Sequence, residues 1–153
     1  MPQQIIPNLW FDGNAKEAVD FYLEVFKDGK KFSTSYYPKT QEEGLADFQT
    51  ELAGKELTIE FEVMGMRFIA INADSTFTFN ESVSFAIMCE DQAEIDYFWE
   101  KLSSNPASEQ CGWCKDKYGL SWQIVPKNVD ELLKRPGAFA RMMKMKKLII
   151  DEY

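Results

Sequence analysis

The sequence predicts an α+β fold of paired βαβββ modules, each with one helix behind a curved mixed sheet, the two together forming a cup. Two observations carry that reading. The chain is a weak internal repeat: laying Leu9-Trp10-Phe11 on Phe85-Ala86-Ile87 brings Val19-Asp20-Phe21-Tyr22 onto Ile95-Asp96-Tyr97-Phe98 and Phe26 onto Leu102. In each copy a β-rich run leads into apolar residues at helical spacing, and strand-like runs follow.

The elements follow in order. IIPNLWF is β-rich and ends at Asp12-Gly13, after which Ala18, Val19, Tyr22, Leu23 and Phe26 mark a helix from Ala15 to Phe26. KFSTSYY reads as a strand, residues 40–54 as a less regular, partly helical stretch, and ELTIEFEV with MRFIAIN as a hairpin turning near Gly65. The second copy opens with SVSFAIMC; Asp91 then caps a helix from Gln92 to Leu102 that buries Ile95, Phe98, Trp99 and Leu102. EQCGWCK, the turn Asp116-Lys117-Tyr118-Gly119 and LSWQIV close that module, and the C-terminal KKLIIDEY reads as a further strand. With 153 residues, 45% of them hydrophobic, the chain can bury a full core and reads as one domain, 1–153. Module one runs from about 4 to 73 and module two from about 82 to 126, with the segment 127–153 after it.

Composition excludes several chemistries. There is no histidine, so Ser-His-Asp, Cys-His and facial-triad sites are ruled out, and any general base must be a carboxylate, Tyr, Lys or Cys. No GxGxxG, GxxxxGK[ST] or GxSxG motif occurs. A net charge of −8 repels phosphate backbones and anionic lipid, and the Arg141 to Lys147 cluster reads as a solvated helix face. We therefore expect neither a nucleic-acid nor a membrane partner. MPQQIIPN lacks the n- and h-regions of a signal peptide, which gives a cytoplasmic reading.

Three stretches make the chain similar to a known group: PNLWFDGNAKEAVDFY, FIAINADSTFTFNESVSFAIMCEDQAEIDYFWEKL and CGWCKDKYGLSWQIVP. They resemble the vicinal oxygen chelate superfamily of glyoxalase I, extradiol dioxygenases and bleomycin-resistance proteins, and within it the PhnB-like group labelled "3-demethylubiquinone-9 3-methyltransferase". The resemblance implies a glyoxalase/dihydroxybiphenyl dioxygenase-like fold and a homodimer. It also implies four metal-ligand positions, which fall on Pro7 or Asn8, Phe68, Ser84 and Gln123. Pro and Phe offer no side-chain donor, and Asn, Ser and Gln are neutral oxygens that hold a divalent ion poorly. No catalytic metal and no cofactor are expected.

Strand alternation says what lines the cup instead. With Gln123 facing inward, Ser121 and Val125 share its face while Trp122 and Ile124 lie beneath. The same parity brings Ser84, Ala86 and Met88 inward together with Asn8 and Trp10, and sets Phe68, Ala70 and Asn72 on the opposite wall. Such a mixed wall either holds a small, partly apolar molecule or fills a small closed core. Cys89, Cys111 and Cys114 lack the helix N-terminus or second knuckle of a redox or zinc CxxC and read as structural thiols. Asp116 opens a turn that its side chain can cap, and it is also the first choice among carboxylates if one is catalytic. Two functions stay open: a metal-free protein that binds a small molecule, or an enzyme acting on a small aromatic or quinone-like substrate, such as the methyltransferase of the family label. The methyltransferase finds no glycine-rich loop or ribose-binding acid in a doubly wound pattern to support it.

Overall fold

In the computed structural model the described residues are 3–153, so the first two residues of the MPQQIIPN stretch lie outside them. The chain divides into two compact units, one ending at Thr78 and the other beginning at Phe79.

The first unit is βαβββ, with β1 (Asn8–Phe11), α1 (Ala15–Val25), β2 (Lys30–Tyr36), β3 (Glu56–Val63) and β4 (Met66–Asn72). Its sheet has the order β1-β4-β3-β2, with β1 parallel to β4 and the remaining pairs antiparallel. The helix buries Ala15, Ala18, Val19, Tyr22 and Val25, and the Tyr22 ring stacks on Phe61, which stacks in turn on Phe68. The hairpin turns at Met64 and Gly65, with φ of 49° and 76°, the left-handed pair that matches the twist of two adjoining strands. A 3-10 turn, Asp47–Leu52, forms inside the irregular stretch.

The second unit has β5 (Ser84–Cys89), α2 (Gln92–Leu102), β6 (Trp113–Lys115) and β7 (Ser121–Pro126), followed by the short helices α3 (Val129–Leu132) and α4 (Ala138–Met142). Asp91 caps α2 by accepting the Glu94 N–H at 3.0 Å, and Glu94 returns a bond from the Glu90 N–H at 3.1 Å. Ile95 and Leu102 are buried beneath it, whereas Phe98 and Trp99 are only half-buried. The sheet has the order β5-β7-β6, with β5 parallel to β7.

Three expectations are corrected here. The second copy of the repeat is βαββ, one strand short. Where the first copy forms β2, Asn105 caps a 3-10 turn at Pro106–Ser108, and a proline there withholds the N–H a ladder needs. EQCGWCK is a strand only from Trp113 onward: Cys111 and Gly112, at φ 51° and 85°, form a tight turn between the bridged pair Gln110 and Trp113. A Cβ on Gly112 would meet Leu148 Cδ1 at 2.9 Å and the Ile124 carbonyl at 3.0 Å, so this turn requires glycine twice over.

The third correction concerns KKLIIDEY, which is no strand. It lies over the sheet as an irregular segment ending in a 3-10 turn, Ile150–Glu152. The edge it meets is bent by the Cys111-Gly112 turn and offers only two ladder bonds, Cys111 N–H to the Met145 carbonyl and Gly112 N–H to the Lys146 carbonyl, both at 2.8 Å. The Gln92 side chain fastens the segment further, donating to the Leu148 carbonyl at 3.0 Å and accepting the Ile150 N–H at 2.8 Å. A second small core of Leu132, Ala138, Met145, Leu148 and Tyr153 forms as a result. Met145 is therefore buried, while Met143 beside it stays exposed.

Candidate functional site

Sheet registry decides which side chains of the second unit face away from α2. Ser84, Ala86 and Met88 on β5 sit opposite Ser121, Gln123 and Val125 on β7, and Trp113 and Lys115 on β6 pair with Gln123 and Ser121. The alternate set, Ile87, Cys89, Cys114, Trp122 and Ile124, is buried on the helix side. The parity expected for Ser84, Ala86, Met88, Ser121 and Gln123 is thus the parity in the structure. Gln123 donates from Nε2 to Ser84 Oγ at 2.9 Å, tying the two strands across the open face.

The C-terminal segment roofs part of that face and leaves a half-open cavity of about 580 Å³. Its floor is Ala86, Met88, Trp113, Gln123 and Val125; its roof is Val129, Leu133, Met142, Met143 and Leu148, with Gln110 and Cys111 at one side. The cavity lies within the size range of small-molecule sites and has their chemistry, apolar walls with few polar groups. Gln110 donates to the Met143 carbonyl at 2.8 Å and to Cys111 Sγ at 3.2 Å, and the Cys111 thiol reaches Met143 Sδ at 3.6 Å. No carboxylate or amine lines this cavity.

The other two thiols lie away from it in character. Burial pushes Cys89 and Cys114 up to about 12, so both are neutral thiols packed in the core. Tyr153 is likewise pushed up to about 12, by burial first and Cys111 second, and its buried hydroxyl has no hydrogen-bond partner. Asp116 is buried and serves the turn: Oδ1 accepts the N–H groups of Tyr118 at 2.8 Å and Leu120 at 3.1 Å, and Oδ2 accepts Trp122 Nε1–H at 3.0 Å. With both oxygens engaged, Asp116 acts as a turn-forming acceptor, as its position before Gly119 suggests.

The site residues expected from the first unit separate into two faces. Asn8 and Trp10 lie on the face away from α1, where Trp10 Nε1–H donates to the Asp74 carbonyl at 2.8 Å and its ring meets Phe77 edge-on at 4.9 Å. Phe68 and Asn72, and Ala70 between them, are buried on the helix side and share no face with Trp10. Phe68 is part of the aromatic stack under α1. Asn72 Oδ1 accepts the Ala15 N–H at 3.1 Å, capping the helix from across the unit, and Nδ2 donates to the Glu56 carbonyl at 2.9 Å. FIAI is apolar on both faces, so its composition could not set the parity of β4.

The expected ligand positions do not fit a metal. Phe68 points under the helix without a donor, and Asn8, Ser84 and Gln123 offer only neutral groups. Among the described residues no three His, Cys, Asp or Glu side chains gather where they could hold an ion. Nor is any helix among them long and apolar enough to cross a membrane.

Gln110, Cys111, Trp113, Val129, Leu133, Met142, Met143 and Leu148 line the cavity and were not foreseen. Pairing Trp113 with Gln123 by alternation could have found the tryptophan. The roof follows from how KKLIIDEY packs on the edge bent at Cys111-Gly112, which a strand reading of that segment does not contain.

Residues 3–125 match the family model described as 3-demethylubiquinone-9 3-methyltransferase. The PhnB protein of Bacillus cereus is similar at 32% identity and TM-score 0.62, covering 80% of this chain and 99% of that one. PA1353 from Pseudomonas aeruginosa shares 18% identity at TM-score 0.57, over 82% of this chain and 98% of that one. FosX, a fosfomycin resistance protein of Listeria monocytogenes, shares the fold at 14% identity and TM-score 0.55, over 88% and 98%. No curated protein matches the chain. The family match ends at residue 125, so the segment that roofs the cavity lies beyond it.

Proposed function

The chain belongs to the PhnB-like family described as 3-demethylubiquinone-9 3-methyltransferase, in the vicinal oxygen chelate superfamily, and on that premise we propose that it binds a small, largely apolar molecule on the open face of its second unit. One observation carries this reading: the apolar cavity of about 580 Å³ between β5, β6, β7 and the C-terminal segment. A ligand there buries its surface against Met88, Val125, Met142 and Leu148, stacks on Trp113, and takes a hydrogen bond from the second N–H of the Gln123 amide. Binding without turnover is favoured because the lining holds no carboxylate, Tyr or Lys to move a proton, and its one thiol, Cys111, is already engaged by the Gln110 amide and Met143 Sδ. The family label names a methyltransferase; the absence of a glycine-rich loop and of a ribose-binding acid from the sequence weighs toward binding.

We place the protein in the cytoplasm as a homodimer, with the exposed Phe139 and Met143 available to a second copy. Sedimentation as a 17.7 kDa species at micromolar concentration contradicts the dimer. The binding reading is tested by titrating a library of aromatic fragments into the isotope-labelled protein. It expects resonance shifts at the Trp113 indole and the Gln123 and Met143 amides. Fragments that bind but leave those three resonances in place contradict it.

A further inference from the structure

The open face of the second unit holds a second cavity, of about 410 Å³, that shares Gln110 and Trp113 with the first and is polar at its far end. Ser121 lies in its wall, 1% exposed, and its hydroxyl has no hydrogen-bond partner. A buried hydroxyl in that state requires an explanation, because such groups are almost always paired. The Ser84 hydroxyl, opposite it on β5, accepts from Gln123 and makes no bond to Ser121. Directly across the β6–β7 ladder stands Lys115, whose side chain is 22% exposed and paired with Glu81. The Glu81 side chain is 61% exposed, so it can swing into water, and the ammonium has three N–H donors to share.

Two donors thus converge on one cavity, one of them buried and unanswered. From this the geometry points to a carboxylate group of the ligand at Ser121 and Lys115, with its apolar body lying past Trp113 in the larger cavity. One carboxylate oxygen takes the Ser121 O–H and the other takes an ammonium N–H, with Glu81 displaced to solvent. The ligand class is an amphipathic acid with an aryl or alkyl body. This rests on the binding reading above and narrows it. The overall charge of −8 works against anions in general, so the selectivity lies in these two groups and their burial.

The test is calorimetric titration of the full chain with 4-phenylbutanoate and with its uncharged counterpart 4-phenylbutanamide, repeated on Lys115→Met and Ser121→Ala. The acid should bind at least tenfold more tightly than the amide, and each variant should lower the affinity for the acid while leaving that for the amide within twofold. Retained amide binding shows that the variants are folded. Equal affinity for the two probes in the unsubstituted protein, or an acid preference that survives both substitutions, overturns the acid assignment and leaves the apolar cavity standing. Failure of both probes to bind overturns the cavity reading as well.

Discussion

Asp116→Asn removes a charge and almost no volume, and its effect can be worked out from three distances. The carboxylate accepts the N–H of Tyr118 at 2.8 Å, of Leu120 at 3.1 Å and of the Trp122 indole at 3.0 Å, all in a buried turn. In the amide, Oδ1 still accepts the two backbone N–H groups, each bond weaker by about 1 kcal/mol once the charge is gone. The other end becomes an NH₂ facing the indole N–H, donor against donor, and a buried donor left unpaired costs about 1–3 kcal/mol. The amide also spares the fold the burial of a carboxylate, which offsets part of the loss. The expected net destabilisation is about 2–4 kcal/mol, a large share of the ~5–15 kcal/mol of an ordinary domain. At a urea m-value of about 2 kcal/mol per molar, the midpoint falls by about 1–2 M, read by far-ultraviolet circular dichroism. Repeating the substitution in a Trp122→Phe background isolates the indole bond, and its effect there should shrink by about 1–3 kcal/mol. A destabilisation below about 0.5 kcal/mol, or no coupling to Trp122, refutes the assignment of Asp116 as the acceptor that organises this turn.

Other consequences are as specific. Gly112→Ala should destabilise by about 2–4 kcal/mol and loosen the segment from Met145 to Leu148 in hydrogen exchange, because its φ of 85° and the 2.9 Å approach to Leu148 leave no room for a Cβ. Alkaline titration should unfold the protein. In the unfolded chain the thiols of Cys89 and Cys114 ionise near 9.0, while in the fold both stay protonated up to about 12, so the native state binds more protons in between. Each thiol then removes up to about 1.4 kcal/mol of stability per pH unit between pH 9.0 and about 12, and Cys89→Ala/Cys114→Ala should flatten the decline. Tyr153, raised to about 12 from 10.0, adds to the loss at the upper end. Millimolar Mn²⁺ or Zn²⁺ should leave the melting temperature within about 1 °C, since Asn8, Ser84 and Gln123 supply only neutral donors; a larger rise contradicts the donor argument.

How much of this was legible depended on whether local pattern or tertiary contact decided each residue. α2 matches its expected bounds because Asp91, Glu94 and the Ile95 to Leu102 spacing are local signals that agree with one another. The open face of the second unit followed from parity, since Ser84 and Ser121 mark one face against Ile87 and Ile124 on the other. In the first unit the same argument misplaced Phe68 and Asn72, where both faces of β4 are apolar and where the job of Asn72, capping α1 from across the unit, leaves no trace in a single sequence. The roof was missed for a related reason. A short apolar run such as Leu148-Ile149-Ile150 fits a strand or a packed irregular segment equally well, and the bent edge at Cys111-Gly112 decided between them.

Ala86 bears most directly on the proposed function, because it is an exposed, small floor residue of the larger cavity whose enlargement disturbs no core packing. Calorimetric titration of 4-phenylbutanamide into Ala86→Trp, alongside the unsubstituted protein, measures whether that volume is where a ligand goes. The account predicts at least a tenfold loss of affinity with an unchanged unfolding midpoint. An affinity within twofold of the unsubstituted protein would contradict it.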